Sequence, residues 1–256
     1  MKRFIGVLAV LFLAAGMAFS QTAAEIMKAS RERITADTVS TRARMVITAK
    51  DGSLTERIVD QYTSATGEVT KTVIVFQKPA SVAGTRFLTI AAAGKPGDQW
   101  IFLPSLGKVR RVAASEGSAS FMGTDLSYDD VSSADRDIDL DTYSLLREEL
   151  LGGKPCWVIE AKPKDPDYHY SRMVGWIEKA SYISLKMELY DRKGTLAKIM
   201  EMSGIKDFQG RLTPTVTKMT TVQAKTSTTI YTDILKYDDP IPASVFTERF
   251  LLTGRP

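Results

Sequence analysis

From residue 40 onward, apolar and polar positions alternate with a period of two, which is the pattern of half-buried β-strands. Met45 and Ile47 alternate with Arg44 and Thr48. Ile58, Asp60 and Tyr62 alternate with Arg57, Val59 and Gln61, and Val73 and Val75 interleave with Thr72, Ile74 and Phe76. Phe87, Leu88 and Ile90 follow, then runs at 157–161, 173–177, 182–190, 196–202, 212–222 and 228–235. Each is about strand length and most are rich in Val, Ile, Thr or aromatic residues. Before residue 40 the period is different. Thr22 and Glu25 stand at capping-box spacing, and Ile26, Met27, Ala29, Arg33 and Ile34 recur at helical intervals. An amphipathic helix over 22–36 is expected.

The breaks between runs carry turn chemistry. Asp51 with Gly52, Gly152 with Gly153, and Asp191 through Gly194 separate neighbouring runs and read as hairpins. Such short connections make neighbours antiparallel, since a parallel crossover needs a dozen residues or more. No alternating helices interrupt the strands, which disfavours α/β folds. The expectation is a mainly β chain: one meander of about ten or eleven strands, curled because a sheet that large does not stay flat. The stretch from Gly107 to Val131 is too long for a hairpin loop and rich in Gly, Ser and Asp. It reads as a lid or binding loop with few apolar anchors, with Thr124 or Asp125 capping a short helix that ends near Ala134.

The amino terminus sets the compartment. Lys2 and Arg3 precede an apolar stretch from Phe4 to Ala18, and Ala18 and Ser20 are the small residues of a processing site. Residues 1–20 read as a cleaved signal peptide, leaving 21–256 as a single exported, periplasmic domain. The competing reading, a membrane anchor, lacks a positive flank after the apolar run. The one cysteine, Cys156, is far from the cleavage point, so neither a lipid anchor there nor an internal disulfide is available. Within Pro155–Ile159 it reads as a small apolar strand residue. Of 34 basic and 30 acidic residues, removal of Lys2 and Arg3 leaves 32 against 30. A near-neutral chain gives no sign of a nucleic-acid partner.

Catalytic patterns are missing from the sequence. His169 is the single histidine and lacks a cysteine or acidic cluster at ligand spacing. There is no Gly-x-Ser-x-Gly elbow, and Gly107-Lys108 does not continue into a phosphate loop. The string Asp125, Asp129, Asp130, Asp135, Asp137, Asp139 and Asp141 lacks the central glycine and closing glutamate of a calcium loop, so helix caps and a solvated loop are the better account. No enzyme, metal or cofactor is expected. The apolar content says more. Several strands are apolar on both faces, and Met187, Met200, Met202 and Met219 all fall in strands. Methionine suits a wall that accepts ligands of varied shape, although such stripes are more often plain core. A curled sheet with few helices must have its inner face filled by side chains, helices or a ligand.

Two segments point further. The run from Trp100 through Leu103-Pro104 and Gly107 to Val112, followed by Ser120-Phe121-Met122-Gly123-Thr124-Asp125-Leu126-Ser127-Tyr128-Asp129-Asp130, resembles the signature of the outer membrane lipoprotein-sorting protein family, related in fold to the periplasmic lipoprotein carrier LolA. The resemblance continues to Asp238-Asp239-Pro240-Ile241-Pro242 and Phe246. It implies an unclosed antiparallel barrel around an apolar cavity with helices as lid. It also implies a soluble carrier of lipid or lipoprotein acyl chains, with an inner-membrane transporter as donor and an outer-membrane acceptor. The cargo itself is not implied. On this reading the strand residues of the cavity are Trp100, Phe102, Leu185, Met187, Met219 and Ile230, and Phe121, Met122 and Tyr128 line the lid edge. A releasing carrier needs a lid that is only marginally packed. Strand parity leaves the inward face open, because a one-residue slip reverses it. The basic run Lys108, Arg110, Arg111 is either a headgroup contact or a solvated turn. The alternative function is an envelope lipid sensor that signals through a membrane protein.

Overall fold

The computed structural model describes residues 21–92, 97–132 and 137–256. The export segment, Asp135, and the expected helix end at Ala134 lie outside them. Helix α1 spans Ala23–Glu32 and starts as its sequence dictates: the Thr22 hydroxyl accepts the Glu25 amide while the Glu25 carboxylate accepts the Thr22 amide. It ends four residues short of the expected 36, and its C-cap Arg33 donates through the guanidinium to the Leu212 carbonyl at 2.6 Å.

Thirteen strands follow. They are β1 (Thr38–Thr48), β2 (Leu54–Thr66), β3 (Val69–Lys78), β4 (Arg86–Ala92), β5 (Asp98–Leu103), β6 (Lys108–Arg111), β7 (Asp141–Leu151), β8 (Lys154–Pro163), β9 (Tyr170–Glu178), β10 (Ser184–Asp191), β11 (Leu196–Phe208), β12 (Arg211–Thr221) and β13 (Thr226–Tyr237). Helix α2 (Tyr128–Ser132) lies between β6 and β7, and α3 (Glu248–Thr253) closes the chain. All strands join one antiparallel sheet in the order β6-β5-β4-β3-β2-β1-β13-β12-β11-β10-β9-β8-β7. Two meanders are therefore stitched together where β1 pairs with β13, Met45 opposite Ile230. The count exceeds the expected ten or eleven partly because β6, with Val109 as its one apolar residue, carries no alternation to read.

The sheet is curled, and the lid segment shows how strongly. The Tyr128 ring sits 5.7 Å from Phe87 on β4. Two residues later, Asp130 accepts from Tyr170 on β9 at 2.8 Å and from Lys198 on β11 at 2.6 Å. Strands β4 and β9 are eight positions apart in the sheet, about 38 Å if it were flat. Two residues reach only about 7 Å. The strands must wrap around the segment, so the face it touches is the interior. Edges β6 and β7 stay unpaired with each other, leaving the barrel open.

Both faces of the amino-terminal half are buried, which explains strands that are apolar throughout. Inward, Ala43, Met45, Val59, Ile74, Phe76, Phe87 and Ile101 pack with Phe121 and Tyr128. Outward, Val73, Leu88 and Phe102 lie beneath Val245, Phe246, Phe250 and Leu251 of the carboxy-terminal segment. In the other half α1 covers the interior at Ile159 and Ile177. The outer side there holds Cys156, Val158, Val174, Trp176, Ile183 and Leu185. Long charged side chains screen it: Lys186 lies 4.4 Å over Trp176, and Arg172 lies 3.8 Å over Tyr190.

Candidate functional site

The interior wall is a row of methionines set by strand register. Met187 of β10 faces Met200 of β11, and Met200 faces Met219 of β12. Directly paired residues share a face, so these three thioethers stand side by side. Met173 joins them through the cluster that also holds Tyr170, Leu189 and Leu126. Beside Met187 stands Gly175. Its missing side chain leaves a gap, since a Cβ there would meet only the tip of Ile177 at 3.7 Å. The gap is part of a cavity of about 30 Å³ bounded by Met27 and Arg31 of α1 above and by Ile159, Met173 and Met187 below. That is about the volume of one water molecule. At this point the wall has room for little more than a water, and α1 forms the roof over it.

Two covers close the interior, and they are held differently. Helix α1 buries Ala23, Ile26 and Met27. The 113–132 segment is held by both aromatic and polar contacts. Phe121 is fully buried, with ring centroids 5.0 Å from Phe87, 5.8 Å from Phe76 and 5.5 Å from Tyr128. Met122 and Gly123, with φ of 54° and 75°, make the turn that presents Asp125 to the wall. The Asp125 carboxylate accepts hydroxyls from Thr221 at 2.6 Å, from Thr228 at 2.8 Å and from Thr226. Arg57 on β2 donates to the Met122 carbonyl. Ser127 and Asp130 form the capping pair of α2: the Ser127 amide donates to Asp130 and the Asp130 amide to Ser127. Neither Thr124 nor Asp125 caps it; both are used in the turn, Thr124 through the Phe121 carbonyl. The expected marginal packing of this segment is therefore corrected. Asp125 and Asp130 are its anchors, each aimed at strands.

The remaining electrostatics follow from burial and pairing. Burial first, then the Asp130 carboxylate, pushes Tyr170 far above the ordinary phenol range. Its hydroxyl therefore stays a donor to Asp130. Burial likewise raises Tyr128. Hydrogen bonds from Arg110 and then the Ala113 amide hold Glu116 low at the lid's base. His169 packs tilted against Tyr170 with centroids 3.9 Å apart, its Nδ1 3.0 Å from the Asp129 carboxylate. It serves as a packing partner of the lid. No cluster of three or more His, Cys, Asp or Glu side chains is arranged to hold a metal among the described residues.

The structure divides the residues expected to line the cavity. Met187, Met219 and Ile230 face the interior; Phe121, Met122 and Tyr128 of the lid pack in the cluster of Ile230, while Met187 and Met219 meet the lid through Leu126. Trp100 and Phe102 point the other way, under the carboxy-terminal segment, and Leu185 lies on the outer face beside Trp176. The correction for Leu185 has a local cause. Ser184 pairs with Ile177 but Lys186 pairs with Trp176, so a bulge at Leu185 reverses the parity that sets it with Met187. For Trp100 and Phe102 the signal was equivocal, because Ile101 between them is equally apolar and fully buried inward. Gly175 and Met27 were missed. A strand glycine is the one sequence signal that hints at such a gap.

Comparison with known proteins places this geometry. A family model described as that of an uncharacterized protein matches residues 68–253. No curated protein matches the chain. Among solved structures, a protein of the DUF1329 family from Desulfovibrio piger is 29% identical, with a TM-score of 0.86 over 90% of this chain and 97% of that one. An outer membrane lipoprotein-sorting protein domain from Vibrio parahaemolyticus is 27% identical, with a TM-score of 0.85 over 90% and 98%. A LolA superfamily protein from Nitrosomonas europaea shares the fold at 18% identity, with a TM-score of 0.71 over 90% and 100%. The chain belongs to the family whose model matches residues 68–253, and it shares its open, curled sheet with the Desulfovibrio DUF1329-family protein, the Vibrio lipoprotein-sorting protein domain and the Nitrosomonas LolA superfamily protein.

Proposed function

We propose that this chain is a periplasmic carrier that takes up acyl chains of a lipid or lipoprotein between α1 and the methionine wall and moves them between envelope membranes. The observation that carries the reading is the seam at Gly175, where a flexible wall meets the weaker of two covers. The described similarity of the Vibrio domain to lipoprotein sorting supports it. A donor in the inner membrane and an acceptor in the outer membrane are the partners that such traffic requires. No helix among the described residues is long and apolar enough to cross a membrane.

The energetics favour α1 as the gate. Exposing Ile26 and Met27 costs about 1.5–3 kcal/mol each. A bound chain returns about 0.8 kcal/mol for every methylene it buries, so a handful of methylenes offsets the opening. Lifting the 113–132 segment instead strips Asp125 of its hydroxyls at about 1.5–3 kcal/mol per charged hydrogen bond and also exposes Phe121. The chain therefore enters by displacing α1, and the same small difference lets it leave.

Met187→Asp tests the reading. Met187 borders the gap, where a carboxylate meets water once α1 lifts, so the variant is expected to fold and to lose binding of a fluorescent fatty acid. Met219→Asp buries its charge in the packed wall and is expected to unfold the protein. A folded Met187→Asp that transfers lipid between vesicles like the parent would remove the interior site. Lipid binding without transfer, together with a tight complex with a membrane signalling protein, would favour the sensor instead.

A further inference from the structure

A second and far larger pocket, of about 730 Å³, opens on the outer face of the barrel. It lies between β1–β3 and β13 on one side and the carboxy-terminal segment on the other. That volume is in the range of small-ligand sites. Its apolar wall is built from Tyr62, Val75, Ile234, Ile241, Val245 and Phe250. None of these faces the interior, so the pocket is separate from the seam at Gly175.

Three cationic side chains, Arg42, Arg86 and Lys236, line it against two carboxylates, Asp60 and Asp239. Arg42 grips the buried Asp60 through two bonds of 2.6 and 2.8 Å, and Gln77 donates to the same carboxylate at 2.8 Å. Lys236 pairs with Asp239 at 3.1 Å. Arg86 is different. It donates to the Leu251 carbonyl and lies 5.0 Å over the Phe102 ring, and no carboxylate pairs with it among the described residues. Partial burial lowers its pKa. Gly254 leaves it room: a Cβ there would collide with the guanidinium. One uncompensated guanidinium at the end of an apolar trough is a head-and-tail arrangement, in which the cation meets an anion and the wall meets an alkyl chain.

We propose that this outer pocket binds a single-chain anionic amphiphile, its carboxylate or phosphate monoester on Arg86 and its alkyl chain along Tyr62, Ile241 and Val245. The site does not depend on the interior reading. Calorimetry with dodecanoate, dodecyl phosphate and dodecanol separates head from tail. One or both anions are expected to bind about tenfold more tightly than the alcohol. Which one prevails distinguishes a fatty-acid head from a phosphorylated one. Arg86→Gln is expected to erase the difference and leave dodecanol binding as it was, while Arg86→Lys keeps part of it. Ile241→Trp blocks the trough without touching the α3 carbonyl that Arg86 caps, and is expected to abolish binding of all three. A fatty acid carrying a diazirine is expected to label peptides 58–77 and 234–256, in the parent and in Met187→Asp alike. Label confined to 173–219, equal affinity for acid and alcohol, or full binding by Ile241→Trp would overturn the site. The first of these would leave the interior reading standing.

Discussion

The Thr228 hydroxyl donates to the Asp125 carboxylate at 2.8 Å and accepts the Asp125 amide at 2.9 Å, a reciprocal pair between the tip of the lid and the inner face of β13. Both residues are buried, so neither partner has water as a substitute. Thr228→Val keeps the shape and removes both bonds. It is expected to destabilise the protein by about 1.5–3 kcal/mol, the worth of a hydrogen bond to a charged group. Amide exchange should accelerate across 120–128 and not across α1. A melt unchanged from the parent would mean that the pair does not hold the lid.

The neutral phenol of Tyr170 makes the lid sensitive to alkali. Its folded pKa is raised, so the stability it contributes is complete below the ordinary tyrosine range, about pH 10, and is lost as pH climbs above it. Thermal melts are expected to fall steeply there. Tyr170→Phe should be less stable at neutral pH, having lost the bond to Asp130, yet should fall less steeply in alkali. Parallel pH profiles for parent and variant would contradict this.

Much of the barrel could be read from the chain because strand formation and turns are local. Period-two runs, Asp51-Gly52, Gly152-Gly153 and the Thr22/Glu25 cap all act within a few residues, and each forms as expected. Facing was less legible. Ile101 and Phe102 are both apolar, and what separates them is Phe121 on one side and the Val245–Leu251 segment on the other, both distant in sequence. The bulge at Leu185 leaves no mark in composition. The lid looked loose because aspartate, serine and threonine normally signal solvent. Here the partners of Asp130 and Asp125 are Lys198, Tyr170 and Thr228, between 40 and 103 residues away.

The reassignment of Leu185 has a direct consequence. Because it packs with Val158, Trp176 and Ile183 on the outer face, Leu185→Ala is expected to cost about 2–4 kcal/mol in stability. Fatty-acid affinity, measured at a temperature where the variant is folded, should match the parent. A loss of affinity with stability intact would return Leu185 to the binding site.

Gly175 offers a test in which stability and binding move in opposite directions. It sits between Ile159 and Met187 on β9, third from the β7 edge, with an ordinary strand conformation and room for a Cβ, which would touch only the tip of Ile177. Glycine in a strand costs about 0.5–1 kcal/mol relative to alanine, so Gly175→Ala is expected to raise stability by that amount. The added methyl also occupies part of the gap beneath Met27. If acyl chains enter there, the stabilised variant should bind a fluorescent fatty acid more weakly. Gly175→Leu carries the argument further: its side chain overfills about 30 Å³ and must push α1 outward. Amide exchange across 23–32 should rise while β9 stays protected. A more stable Gly175→Ala with undiminished binding would show that the chain lies elsewhere in the barrel. A less stable one would show that the gap is not the open space its neighbours describe.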